Sequence, residues 1–398
     1  MRVKVTRCKK DLTYDDAREW IFSDNDFFKE FNLILEKQNI DELEAREECE
    51  GYLKEIAARY TKNRLFWDIM EILVRKRIMG SFENVYYNKD GVKLIKNLAR
   101  KHIVNVVPNH RSVFDFMILS YILVKETTYM PIILAADVFT TFPLGLIFRR
   151  NGTYFVRREV DNELYSLVFK YYVMMISKCE LLHMFFIEGG RNKTGNYSEP
   201  KKGILKYMLD GAKKYSNSDV AFVPISISYD FVPESKVVIE ENKSGKRKHI
   251  FESMASYIFK SNLGNCYIKF GKPIKVSEFK KSIKNKNTVD KLGDHLIEII
   301  KSLVIVSPTA LICYTLFNYN KIKYEDFKKR FKNNYEVLSK YKSDVSSIEV
   351  DKINEYLKFV DDKGIIVFDK GKGIINIDPK KKPIVEYYRN NILHLFKS

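Results

Sequence analysis

IVNVVPNHRSVFDFMILSYILV, residues 103 to 124, changes its period in the middle. Up to Asn109 it is a β-branched apolar run of the kind a buried strand uses, and from Phe114 onward it reads as a helix. Between the two lies His110, with Asp115 five positions later. Five residues of continuous helix turn through roughly 500°, which would set the two side chains on different faces. They meet only if His110 sits in a strand-to-helix turn and the chain folds back. An aspartate bonded to one imidazole nitrogen would then fix the tautomer and stabilise the imidazolium, leaving the other nitrogen to take a proton from an alcohol. The pair is a candidate general base with its orienter; a capped loop without chemistry is the competing reading. Ser112 lacks the glycine-flanked elbow that exposes a nucleophilic serine.

The same change of period recurs outward from this stretch. Between about Gly91 and Ser277 the runs IVNVVP, YMPIILAA, GTYFVRR, LLHMFFIEGG, VAFVPISISYD and CYIKFGKPI alternate with helical text, the pattern of an α/β domain. Pro224 lies inside VAFVPISISYD, which predicts an edge strand or a bulge there. Ahead of this region, residues 41 to 79 carry apolar positions every three or four residues, with Asp41 and Glu44 spaced as a capping box. Behind it, SIEVDKINEYLKFVDDKG followed by IIVFDKGKGIINID predicts a helix leading into a hairpin with Lys370 to Gly373 at the turn. Three sections result: a helical one at 1–90, the α/β one at 91–285, and a helical section with a terminal hairpin at 286–398.

The 398 residues are 45% hydrophobic and 30% charged, which supports a sizeable core and excludes a disordered chain. Lys plus Arg number 69 against 51 for Asp plus Glu, a formal charge of +18 that favours an anionic partner: nucleic acid, an acidic membrane surface, or a phosphate-bearing substrate. Cys8, Cys49, Cys179, Cys266 and Cys313 form no close-spaced metal or redox pair, as suits a reducing compartment. The opening MRVKVTRCKKDLTYDD has no apolar h-region, so no secretory signal is expected. SLVIVSPTALICYTLF, residues 302 to 317, is shorter than a bilayer requires and is interrupted by Pro308, so it is expected to be a buried helix pair or turn.

Two further stretches carry charge where chemistry would want it. GLIFRRNGTYFVRR sets Arg149, Arg150, Arg157 and Arg158 around a glycine and an aromatic strand, and guanidinium forks match phosphate oxygens. FFIEGGRNKTGNYSEPKKG brings Glu188 off the end of an apolar run. Gly189 and Gly190 follow and allow close backbone approach, and the cations Arg191, Lys193, Lys201 and Lys202 come next.

Taken in order, NHRSVFD, NGTYFVRR, FIEGGRNKTG and FVPISI resemble the four blocks of the glycerol-3-phosphate and dihydroxyacetone-phosphate acyltransferase family. AADVFTTFPLGLIFRR, EPKKG and YIKFGKPI resemble the text between and after those blocks, and the similarity runs from about Tyr52 to Phe396. The resemblance implies an α/β fold with a mixed sheet flanked by helices. It also implies transfer of an acyl group from a thioester to the sn-1 hydroxyl of glycerol 3-phosphate. His110 would deprotonate that hydroxyl, Asp115 would orient His110, and Glu188 would belong to the catalytic set. Arg158 and Arg191 would hold the phosphate, with Arg157, Gly189, Lys193 and Lys201 completing the substrate site. No metal and no cofactor are implied. The donor is acyl-CoA or acyl carrier protein as co-substrate, and the protein is expected on the cytoplasmic face of a membrane, held peripherally by anionic lipid without a transmembrane helix.

Lys193 stands where many members have arginine, which keeps the charge and loses the bidentate fork. Acylation of dihydroxyacetone phosphate or of 1-acylglycerol 3-phosphate is the nearest alternative, although enzymes of the latter kind usually carry threonine where this chain has Gly190. From a different class, the basic charge with a terminal helix and hairpin would suit a nucleic-acid-binding module. That reading leaves His110 and Glu188 without a purpose, and no sequence-specific nucleic acid is expected as partner.

Overall fold

The computed structural model describes residues 13–60, 63–140, 144–244, 262–284, 287–341 and 343–396. Cys8, the opening segment read for a secretory signal, and the TFP of the AADVFTTFP text lie outside these residues.

The strands are β1 (Val85–Tyr87), β2 (Ile103–Pro108), β3 (Ile132–Ala136), β4 (Thr153–Val156), β5 (His183–Met184), β6 (Val220–Tyr229), β7 (Cys266–Phe270) and β8 (Ile274–Lys275). They form one mixed sheet in the order β1-β7-β6-β2-β5-β3-β4, with β8 also paired to β6. β6, β2, β5, β3 and β4 run parallel, whereas β7 and β8 meet β6 antiparallel. Every residue of β2 is buried, as a strand covered on both faces must be.

Helices cover both faces: α1 (Tyr14–Ile21), α2 (Asn25–Gln38), α3 (Glu42–Ile56), α4 (Arg64–Leu73), α5 (Lys89–Leu98), α6 (Phe114–Thr127), α7 (Leu144–Arg150), α8 (Glu163–Lys178), α9 (Gly203–Tyr215) and α10 (Ser235–Ser244). One core gathers α1 to α3, α8, α9 and Leu292–Ile300 with Ile103, Val107 and Phe222 of the sheet. The other gathers α6, Val74 and Ile78 with Val104, Val106 and Ile225, and continues into residues 304–392. Residues from the first, middle and last parts of the chain thus enter both cores. Within residues 302–317, Ile305 bridges to Asp344 and Ser307 caps the buried helix Pro308–Leu316, whose first-turn proline needs no N–H partner. Among the described residues no helix is long and apolar enough to cross a membrane. The hairpin forms with Val367–Asp369 against Ile374–Asn376, and Lys321–Lys323 adds a third strand.

Pro224 lies on an interior strand, which corrects the expectation of an edge, and beside a one-residue slip in register, which agrees with a bulge. It pairs with Val107 of β2 on one side. On the other side β6 pairs with β7 through Ile225–Tyr229 and with β8 through Ala221 and Phe222, so residue 224 falls at the junction between them. Its carbonyl accepts the Gly271 N–H at 2.8 Å on that side. Between that bond and the Phe222–Ile274 pair the facing strand carries one extra residue, a bulge of the kind at which proline is tolerated.

His183 on β5 is fully buried, with Nε2 2.8 Å from the Tyr154 hydroxyl and Nδ1 3.0 Å from Asn105 Oδ1. Burial pulls its pKa from 6.5 down to about 3. The unfolded chain takes a proton that the folded one refuses, so stability is full above pH 6.5 and falls as the medium is acidified below it. Between neutrality and about pH 5 the loss is about 2 kcal/mol. Urea midpoints at the two pH values should shift less in His183→Gln; equal shifts in both proteins would exclude His183 as the cause.

Candidate active site

The turn between β2 and α6 is built from side chains that take over backbone work. Asn109 continues β2 by one residue: its Oδ1 accepts the Ile227 N–H at 2.7 Å and its Nδ2 donates to the Ile227 carbonyl at 3.1 Å. Asp115, with no exposed surface, accepts the Arg111 and Ser112 N–H groups on Oδ2 at 2.7 and 2.9 Å. The same oxygen lies 2.9 Å from His110 Nδ1. Oδ1 accepts the Tyr229 hydroxyl at 2.5 Å. The orphan amides of a helix N-terminus favour an acid in the first turn, so the carboxylate that orients the imidazole also closes the turn.

With Nδ1 turned to Asp115, the imidazole presents Nε2, which has no hydrogen-bond partner among the described residues. The ring stacks on Phe186 at 3.9 Å between centroids, which sets its plane. Ser112 is buried, and its hydroxyl donates to Glu234 at 2.8 Å while accepting the Phe114 N–H. Glu234 also accepts the Val113 N–H at 2.7 Å, and burial raises its pKa. Neither group is presented to a substrate.

Glu188 holds this turn in place. Oε1 accepts the His110 N–H at 3.1 Å, while Oε2 accepts Ser198 N–H at 3.0 Å and Asn192 Nδ2–H at 3.1 Å. It is 5% exposed, and its carboxylate tethers the 188–198 loop to the histidine turn. The His110 carbonyl accepts the Asn192 N–H at 2.9 Å and completes the tether.

His110 opens onto a cavity of about 590 Å³. Its lining includes Arg157, Arg158, Gly189, Arg191, Lys193 and Lys201, together with the apolar Val113, Phe116, Ile133 and Phe148. Phe116, Ile133, Phe148 and Thr153 also line a second, almost wholly apolar cavity that continues against Trp67, Met70 and Val74. The Arg191 side chain is largely buried; Nη2 contacts Glu241 at 3.4 Å, and Nη1 is buried with no hydrogen-bond partner among the described residues. A guanidinium with an unmet donor in a cationic pocket suits an anion. Gly189 has φ +69°, and a Cβ there would come within 2.6 Å of Lys201 Cγ, so glycine permits both the turn and the approach of Lys201.

The structure divides the expected phosphate clamp. Arg157 donates to both carboxylate oxygens of Glu55 at 2.8 and 2.6 Å and lies over the rings of Tyr52 and Tyr165. The bond to Glu55 raises its pKa. Arg149 donates to the Ala57 and Glu55 carbonyls, so both arginines hold the C-terminal end of α3, Arg149 from the last turn of α7 and Arg157 from the residue after β4. Arg157 thus lines the cavity with its guanidinium already paired, beside Arg158 and Arg191. Lys202 turns away to Asp294 at 2.9 Å. Tyr229, Asn109, Glu234 and Glu241 were not legible as site residues, because each acts across more than 45 residues of sequence or belongs to a run that reads as ordinary core.

Residues 91–228 match the family model described as acyltransferase, and residues 251–398 match the one described as glycerol-3-phosphate acyltransferase C-terminal region. The chain is 31% identical over 391 residues to a glycerol-3-phosphate acyltransferase of Pseudoalteromonas atlantica, covering 90% of this chain and 47% of the relative. It is 28% identical over 393 residues to one from Pseudomonas fluorescens, covering 91% of this chain and 46% of the relative. It thus spans about half the length of the curated relatives it matches. Among solved structures, the 1-acyl-sn-glycerophosphate acyltransferase of Thermotoga maritima is similar at 15% identity and a TM-score of 0.37, covering 60% of this chain and 83% of that one. The chain thus carries a region of the acyltransferase family followed by a glycerol-3-phosphate acyltransferase C-terminal region, and its similarity to proteins named glycerol-3-phosphate acyltransferase extends over about nine-tenths of its length.

Proposed function

We propose that this protein transfers a fatty acyl group from a thioester, acyl-CoA or acyl carrier protein, to the sn-1 hydroxyl of glycerol 3-phosphate. The observation that carries this reading is the position of His110. It stands in the wall of one cavity that carries both cations suited to a phosphate and apolar side chains suited to an acyl chain, several of the latter shared with a second, apolar cavity. The Nε2 atom takes the hydroxyl proton as the oxygen attacks the thioester carbonyl. The C–S bond then breaks, and the imidazolium returns the proton to the departing thiolate. Asp115 holds the tautomer with Nδ1–H and offsets the positive charge on the ring. Glu188 serves as a positioning residue through the His110 backbone. Arg191, Arg158, Lys193 and Lys201 receive the phosphate, Gly189 lets them approach, and Arg157 supports them from its pairing with Glu55. The product belongs in a bilayer, so we place the working protein peripherally on the cytoplasmic face of an anionic membrane, where each basic residue near the surface contributes about 1 kcal/mol.

Thiol release measured for each donor crossed with glycerol 3-phosphate, dihydroxyacetone phosphate and 1-acylglycerol 3-phosphate tests the reading. Turnover is expected with glycerol 3-phosphate, and turnover confined to the acylated acceptor would overturn it. Arg191→Lys keeps the charge beside Glu241 and loses the fork. Its KM for glycerol 3-phosphate is expected to rise about tenfold with a smaller change in kcat, the equivalent of one charge-assisted bond.

A further inference from the structure

α4 is apolar on two opposite sides. Trp67, Met70 and Val74 face inward and line the apolar cavity that continues from the His110 site. Leu65, Ile69, Ile72 and Leu73 are 67, 49, 47 and 46% exposed. These four fall at i, i+4, i+7 and i+8, a single stripe along the helix. A helix at a water-facing surface carries polar residues on its outer side, and a contiguous apolar stripe there marks an interaction surface. By contrast Leu33 and Leu43, also exposed, stand on other helices.

Charge selects the partner. The helix runs directly into a π turn, Val74–Ile78, in which Arg75, Lys76 and Arg77 are exposed, so the stripe ends in three adjacent cations on a chain of net charge +18. A second copy of this chain would bring like charges together at such an interface, whereas a bilayer with anionic headgroups offers hydrocarbon to the stripe and phosphates to the turn. The geometry is that of a helix lying in the interface. Ten residues span about 15 Å, half of the hydrocarbon thickness.

We propose that α4 and the following π turn are the segment that seats this protein on anionic lipid. Leu65, Ile69, Ile72 and Leu73 enter the headgroup boundary, and Arg75, Lys76 and Arg77 face lipid phosphates. The apolar cavity then lies one helix thickness from the bilayer, so an acyl chain held there passes into lipid around α4. That last step rests on the acyl-transfer reading above; the seat itself does not.

Flotation of the full chain with vesicles tests it, comparing phosphatidylcholine alone with phosphatidylcholine mixed with phosphatidylglycerol at low and high salt. The protein is expected to float with the anionic vesicles and to be partly released by salt. Ile69→Asp combined with Ile72→Asp should lower the partition coefficient about a hundredfold with an unchanged thermal melt, since both side chains already face outward. Arg75→Gln with Lys76→Gln should lower it about tenfold, on anionic vesicles only. Three results would each overturn the seat: flotation of the aspartate variant equal to that of the unaltered protein, no flotation with any vesicle, or a dimer in sedimentation equilibrium that the aspartate pair dissociates. Flotation as expected without turnover on any donor and acceptor pair would leave the seat standing and remove the enzymatic reading.

Discussion

His110→Ala is expected to lower kcat for acyl transfer by about a thousandfold while leaving the melting temperature close to that of the unaltered protein. The activity is lost because Nε2 is the one group in the Asp115 pair that meets the cavity, and a general base of this kind is worth two to four orders of magnitude. The fold survives because the turn does not depend on the ring. The His110 N–H is held by Glu188, its carbonyl by Asn192, and Asp115 keeps two backbone amides and the Tyr229 hydroxyl after the imidazole is gone. Thiol release under saturating substrates and a fluorescence melt are sufficient to measure both. Full turnover in this variant would exclude the imidazole as the base.

Asp115→Asn is expected to behave differently, losing both activity and stability. Its Oδ2 now accepts from two amides and faces Nδ1, and Oδ1 accepts from Tyr229. An amide can offer its oxygen to only one of these sides. With that oxygen toward the turn, the new NH2 meets the Tyr229 hydroxyl, which must then rotate to accept in a site with no water-exposed surface at Asp115. The lost charge weakens each remaining bond, for a destabilisation of about 2 kcal/mol. The imidazolium formed during catalysis loses its counter-charge as well, so kcat should fall by at least about a thousandfold. Chemical denaturation and the same thiol assay read the two effects. A variant that is inactive at unchanged stability would mean that the carboxylate orients the ring without closing the turn.

The contrast between these two residues also marks what could be read in advance. The spacing of His110 and Asp115, the switch from β-branched run to helix, and the glycines after Glu188 are local, and each corresponds to a local feature of the fold. Glu188 is the instructive exception. A carboxylate among cations reads as part of the chemistry, yet it accepts three N–H groups, two of them backbone, and one of these is the N–H of His110. Similarly, four closely spaced arginines read as one clamp, but Glu55, 102 residues before Arg157, claims that guanidinium for the packing of α3. Pro224 reads as an edge or a bulge because sequence reports a missing donor; it cannot report that the strand is interior and that the slip in register lies on the strand facing it.

Sequence by itself determined the alternating strand and helix order, the strand-to-helix turn carrying His110 and Asp115, and the chain's cationic balance. These follow from steric preference, from periodicity and from composition, all of which act over a few residues or over the whole chain. Tertiary structure alone decided which cations line the cavity and which of them are already held in ion pairs, that Tyr229 and Glu234 complete the turn, and that α4 has an apolar cavity behind it and an exposed apolar stripe in front. The reason is the same throughout: hydrogen bonding and charge pairing depend on distances in space of a few ångströms, and periodicity states which side of an element is apolar without stating what covers it.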